Sequence, residues 1–265
     1  MINNLQVYKK DIFNLLNSFF DKIFIITLKK STDRHSLFRD LFDGLDYDIL
    51  WGVNGKELDL DELNNKGVID LEKQIELLGK PLTKGEIGCA LSHLNVYRTI
   101  LDEGYKNALV FEDDIRLSNN DLKDLYSSLK LSLEELPDDW EFLYLGYAAN
   151  NSKVTLPVYL RTWIIYPLLS VFNFKRFKPA KFRRRYPRKF SANLQRAGYH
   201  YRIHSYGITS KGAQKIIDFQ SPIIRAADNA ISEMCSLGLI NAFRLKKRIF
   251  FQNRDLDTTI EDRYV

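Results

Sequence analysis

The apolar run Ala108-Leu-Val-Phe111 is followed at once by Glu112-Asp113-Asp114. Three adjacent carboxylates repel one another unless a cation or hydrogen-bond donors compensate. Hard oxygen ligands of this kind suit Mg2+ or Mn2+. In open α/β sheets ligands bind beyond the carboxyl ends of strands, so acids placed directly after a buried strand point to a cation-assisted site. A solvated, helix-capping turn is the plainer alternative, and the triplet alone leaves both open. Cys89 and His93 stand four apart, a helical spacing that can bring two metal ligands together; the same spacing also describes a helix face packed on its neighbour. Glu86, seven residues before His93, falls on that face and can share a pocket with it. Asp228, in Arg225-Ala-Ala-Asp228-Asn229, is either a helix-capping carboxylate favoured by the macrodipole or a general base facing a pocket. The sequence has no G-x-G-x-x-G, P-loop or G-x-S-x-G pattern, which removes support for the usual dinucleotide, phosphate-loop and hydrolase-elbow sites. Four histidines and many serines leave a Ser–His–Asp arrangement open.

The elements around these residues alternate. Leu5, Ile12, Leu15, Leu16 and Phe19 fall at helical spacing and predict an amino-terminal helix. Residues 23–28 (IFIITL) predict a strand covered on both faces. Ser31 or Thr32 is a cap for the helix carrying Leu37, Phe38, Leu41 and Phe42, with Gly44 as its stop. Residues 47–53 predict a second strand, so the chain opens as βαβ and an α/β sheet is expected. Thr83 and Glu86 form a capping box pattern at the head of a helix running to Asp102. Further strands are expected at 108–111, 141–148 and 200–209, a helix capped by Ser210 through Asp218, and a last helix over about 224–237. The tail from 249 reads as a polar segment folded back over the body.

The chain has 265 residues, 45% hydrophobic and 28% charged, a composition that argues against disorder. A chain of this size buries enough surface to fold without disulfides or a structural metal. Cys89 and Cys235 are too few for a disulfide framework, so a reducing compartment is expected. The first twenty residues lack the pattern of a signal peptide, and the longest charge-free run, Thr162–Phe174, is too short to span a bilayer. Net charge is +5 with uneven distribution: fifteen Lys or Arg and no acidic residue lie between Glu141 and Asp218, nine of them in Lys175–Lys189. Such a block binds something anionic or stays solvated.

KIFIITLKKSTDRHSLF, LTKGEIGCALSH, ALVFEDD and HSYGITSKGAQKI with the later AAD resemble, in order and spacing from about residue 21 to 260, the bacterial lipopolysaccharide-type glycosyltransferases of family 25. The resemblance implies a GT-A-type α/β fold with a mixed, mostly parallel central sheet flanked by helices over residues 21–265. Residues 1–20 are then a helical extension and about 150–198 a basic, aromatic insertion. It implies a metal-dependent, inverting transferase that moves galactose from UDP-galactose to a sugar of lipooligosaccharide or lipopolysaccharide. By position, Asp114 and Glu112 are the expected ligands of Mn2+ or Mg2+. The UDP-sugar is expected against Thr27, Arg34, Asn54, Glu86, Ser92, His93, Glu112 and Asp113, with Asp228 as catalytic base. Thr27 and Asn54 depart from the family's usual Asn and Asp.

The expected partners are the nucleotide sugar, a lipid-linked oligosaccharide acceptor and an anionic membrane surface, with no nucleic acid. The apolar run Tyr159–Phe174 followed by basic residues suits such a surface; a solvated lid over the active site is the alternative. The expected location is the cytoplasm, on the inner face of the bacterial inner membrane. A nucleic-acid or anionic-surface binding protein using 175–189, and a catalytically inactive scaffold, are the competing readings.

Overall fold

The computed structural model describes residues 2–118, 121–148, 156–172 and 183–253. In chain order the elements begin with helix α1 (Ile2–Phe19), strand β1 (Lys22–Thr27), α2 (Thr32–Leu41), β2 (Asp48–Trp51) and two short helices, α3 (Leu60–Asn65) and α4 (Leu71–Leu78). Next come α5 (Lys84–Asp102), β3 (Asn107–Glu112), β4 (Ile115–Leu117), α6 (Leu122–Glu134) and β5 (Phe142–Tyr147). Helices α7 (Leu156–Leu160) and α8 (Tyr166–Phe172) flank a π-helical turn, followed by β6 (Arg188–Lys189), β7 (Leu194–Arg196) and β8 (Ile203–Thr209). Helices α9 (Ser210–Gln220) and α10 (Ala227–Leu237) and strands β9 (Ala242–Leu245) and β10 (Phe250–Gln252) complete the described chain.

Eight strands make one mixed sheet in the order β2-β1-β3-β8-β5-β9-β7-β6. The pairings β1–β2, β1–β3 and β5–β9 are parallel, and only β8 and β7 run against the rest. The expected mixed, mostly parallel sheet flanked by helices is therefore what the chain forms. Successive strand residues point to opposite faces, and the two cores follow that period. Ala108, Val110, Phe142 and Tyr144 pack with α5, α9 and α10 on one face. Leu109, Phe111, Leu143 and Leu145 pack with α1, α2 and α6 on the other. Helix α1 is part of this second layer: Ile12, Phe13 and Leu16 are fully buried. The residues read as an amino-terminal extension are thus built into the body.

Two caps differ from expectation. Thr209, not Ser210, starts α9, its hydroxyl accepting from the Gly212 amide; the strand end and the cap are the same residue. Ser31 occupies the position before α2 but makes no side-chain cap bond. The expected strand at 200–209 begins only at Ile203, and the last helix only at Ala227. The basic, aromatic insertion expected at about 150–198 contains α7, α8, β6 and β7 in its described part. Basic residues 175–181 and the tail beyond 253 lie outside the described residues.

Candidate active site

Because β1 and β3 are parallel neighbours, with Ile26 opposite Glu112, Thr27 and the acidic triplet finish at the same edge of the sheet. A cleft of about 510 Å³ opens there, lined by the ends of β1 and β3, the 52–56 loop and the first turns of α5. Thr83 heads α5 with a complete capping box, its oxygen accepting from the Glu86 amide while Glu86 accepts from the Thr83 amide. The cap fixes where the helix enters the cleft. Gly55 and Gly88 let the loop lie on the helix: a Cβ on Gly55 would stand 2.3 Å from the Lys84 carbonyl oxygen, and one on Gly88 2.9 Å from that of Val53. Ser92 ties the two together, accepting from the Val53 amide at 2.8 Å and donating to the Gly88 carbonyl at 2.7 Å.

The three acids have three different environments. Asp113 is fully engaged: Arg34 Nη1 donates to Oδ1 and Thr27 Oγ1 to Oδ2, both at 2.6 Å. Its charge is matched inside the protein, and it anchors the strand end to α2. Asp114 accepts from Gln252 Nε2 at 2.7 Å through Oδ2, while its other oxygen is buried without a partner among the described residues. Burial first, then the neighbouring Glu112 charge, pushes the Asp114 carboxyl up to about 7. Glu112 keeps part of its side chain in solvent, and its Oε1 lies 3.4 Å from His93 Nε2. His93 is held from behind by Tyr206, whose hydroxyl is 2.7 Å from Nδ1 and donates in turn to Tyr97 at 3.1 Å.

Asp114 and Glu112 offer hard oxygen ligands suited to Mn2+ or Mg2+. The incomplete coordination of Asp114 is the observation that favours a cation there. A second donor set overlaps it: one ligand atom each from Cys89, His93 and Glu112 lies within 4.8 Å of the others, a thiol, imidazole and carboxylate combination that suits zinc better. The helical spacing of Cys89 and His93 was legible in the sequence; that Glu112 joins them was not.

A smaller chamber of about 20 Å³ adjoins the cleft and shares Cys89, His93, Glu112 and Gln252 with it. Its far wall carries Glu86, Arg202 and Asp228. Asp228 stands in the first turn of α10, is 9% exposed, and accepts from the Arg202 amide at 3.0 Å. Arg202 has a φ of +57°, a left-handed conformation unusual for a non-glycine residue, and its guanidinium reaches Gln252 Oε1 at 3.4 Å. Gln252 thus links Arg202 to Asp114 across the shared wall.

Thr27, Arg34, Asn54, Ser92, His93, Glu112, Asp113 and Asp114 all line the larger cleft. Glu86 and Asp228 line the chamber instead. Glu86 is occupied by its cap, and Ser92 by the loop and helix backbone. Asn54 caps the short turn after it and donates to Glu57 at 2.5 Å. Sequence reasoning missed Gln252, Arg202 and Tyr206. The alternation of HSYGIT turns Tyr206 toward α5 and was available as a signal; the pairing of β10 beside Asp114 left none.

Comparisons with known proteins bear on this arrangement. Human procollagen galactosyltransferase 2 is 30% identical over 201 residues, covering 75% of this chain and 27% of that protein. Human inactive glycosyltransferase 25 family member 3 is 34% identical over 140 residues, covering 51% of this chain and 23% of that one. The chain spans about a quarter of the length of these relatives. Among solved structures, mannose-1-phosphate geranyltransferase from Thermus thermophilus aligns with a TM-score of 0.36 and 10% identity over 86% of this chain and 59% of that one. The family model for glycosyltransferase family 25 (LPS biosynthesis protein) matches residues 20–231, which contain the acidic triplet, the α5 wall and Asp228, and the chain belongs to that family.

Proposed function

We propose that the chain is a metal-dependent, inverting galactosyltransferase that moves galactose from UDP-galactose to a sugar hydroxyl of a lipid-linked oligosaccharide of the lipooligosaccharide or lipopolysaccharide type. The observation that carries the reading is the half-satisfied, buried Asp114 carboxylate at the edge of a cleft large enough for a nucleotide sugar. Family membership and the galactosyltransferase relative support the donor class.

In this reading the diphosphate lies among Arg34, Lys56 and Lys84, the cationic side chains of the cleft. Asp114 and Glu112 would hold a divalent cation, which would supply charge neutralisation for the departing diphosphate. Asp113 is spent on Arg34 and Thr27 and serves to position the strand end. The acceptor hydroxyl gives its proton to Asp228 as its oxygen bonds to the anomeric carbon, and the bond from that carbon to UDP breaks on the opposite face, which inverts the centre. The Arg202 amide holds the Asp228 carboxylate toward the chamber.

A screen of UDP-sugars with a lipooligosaccharide acceptor, read as UDP release, tests the reading. Release fastest with UDP-galactose and abolished by EDTA is expected; no metal-dependent release from any UDP-sugar overturns it. The likeness to an inactive family member favours a second reading, a donor-binding protein without transfer. UDP binding with no release under every condition would establish that one instead.

A further inference from the structure

At the opposite edge of the sheet, where β5 and β9 begin, lies a separate cavity of about 380 Å³. It is removed from the chamber along α10: Asp228 lines the one and Cys235 the other, about 10 Å apart along the helix axis. Arg184, Arg188, Arg196, Lys211 and Lys215 line it, with Asp139 and Glu141 as its carboxylates. Glu141 is taken by both lysines. The arginines have neutral partners or none among the described residues. Arg184 donates to the Leu237 carbonyl at 3.0 Å, lying where a Cβ on Gly238 would be 2.7 Å from its Nη1. Arg196 donates to Asn241 Oδ1 at 2.6 Å and lies over Phe243. Arg188 lies on the short strand β6 opposite Arg196, and its guanidinium has no hydrogen-bond or ion-pair partner among the described residues.

Arg183, next in the chain to the cavity-lining Arg184, stacks on Trp163 at 4.1 Å, so the α7–α8 helix meets the body one residue from this cavity's lining. That helix exposes an aliphatic row at i, i+4 spacing, Leu156, Leu160, Ile164 and Leu168, with Trp163 and Val171 also exposed. We propose that this edge of the molecule is a docking surface for an anionic lipid bilayer, with a headgroup phosphate in the arginine cavity and the α7–α8 helix lying in the interface. Apolar insertion beside a basic cluster is the pairing that holds interfacial helices to anionic membranes. Tyr159 and Trp163 stack on each other on this helix, but a single strand bound on that aromatic pair leaves Leu156, Leu160, Ile164, Leu168 and Val171 uncovered, so a nucleic acid fits less well than a bilayer. The surface is separate from the donor cleft, so vesicle binding and sugar transfer can fail independently.

Co-sedimentation of the full chain with phosphatidylcholine vesicles, with and without phosphatidylglycerol, tests this. Binding only to the mixed vesicles, weakening with salt, is expected. Arg188→Glu is expected to weaken it about tenfold or more and Trp163→Ser to weaken it independently, both with unchanged UDP release from UDP-galactose when a soluble acceptor is supplied. Equal binding to neutral vesicles, or wild-type binding by Arg188→Glu, overturns the proposal. Stabilisation by inorganic phosphate without vesicle binding assigns the cavity to a free anion and overturns it; retention of a single-stranded oligonucleotide without vesicle binding overturns it in favour of nucleic acid.

Discussion

Asp114 and Glu141 are carboxylates withdrawn from water at opposite edges of the same sheet, and their surroundings differ in one respect. Glu141, 2% exposed, accepts from Lys215, Lys211 and the Asn241 amide. Burial alone pushes its carboxyl up, and Lys215, the Asn241 amide and Lys211 overcome that, leaving it below its ordinary value. Asp114 has one amide donor, one orphaned oxygen and another carboxylate beside it, and is pushed up to about 7. A buried acid whose partners are complete is a structural clamp. One whose partners are missing stores an electrostatic penalty that a ligand relieves, which is why such groups concentrate at functional sites. The basic cavity shows the same logic with the sign reversed: its lysines are matched by Glu141, its arginines by no carboxylate among the described residues.

The largest effect expected from this contrast is on catalysis. Asp228→Asn, in the chamber beside the cleft, is expected to lower turnover by about 10²- to 10⁴-fold while UDP binding stays intact; near-normal turnover rejects Asp228 as the base. The two clamps should then separate by stability in the metal-free protein at neutral pH. Glu141→Ala removes charge-assisted hydrogen bonds and is expected to destabilise by about 2 kcal/mol. Asp114→Asn removes a buried charge and is expected to be neutral or stabilising by urea denaturation. Equal losses would erase the distinction.

The pH dependence should differ in direction as well. Glu141 sits below 4.5 in the fold, so its contribution is present above that pH and lost as pH falls through the lower folded value. Asp114, raised from 3.8 to about 7, binds a proton that the unfolded chain has already released. Between about pH 4 and 7 the EDTA-treated protein therefore loses stability as pH rises through Asp114. Denaturation curves across this range should flatten in Asp114→Asn, and curves taken below pH 4.5 should lose their acid-side fall in Glu141→Gln. The smallest loss of stability expected is at the cap: Thr83→Ala should lower it by about 1 kcal/mol.

What could be read from the sequence follows from how local each signal is. The strands at IFIITL and ALVF, the Thr83–Glu86 capping box and the acidic triplet are contiguous, and all appear where the residues placed them. The α7–α8 helix escaped because further apolar residues, Tyr159, Ile165 and Leu169 among them, flank its aliphatic row and blur the period that one buried stripe would give. Arg202 and Gln252 escaped because their roles depend on tertiary pairing: one on a left-handed backbone beside Asp228, the other on β10 returning to β4 next to Asp114. The residues themselves did not separate the three acids; the assignment of Asp114 and Glu112 to the metal came with the family resemblance. Only the convergence of Arg34 and Thr27 on Asp113 separates the anchored carboxylate from the available one.

The central claim is that Asp114 holds a cation needed for donor binding. Thermal unfolding of the wild type and Asp114→Asn, each with Mn2+, UDP, and both together, tests it most directly. Ligand that binds only the native state raises the melting temperature by linkage, so the pair should stabilise the wild type well beyond either ligand alone, and Asp114→Asn should lose that increment. The same increment in both proteins, or none in the wild type, contradicts the account.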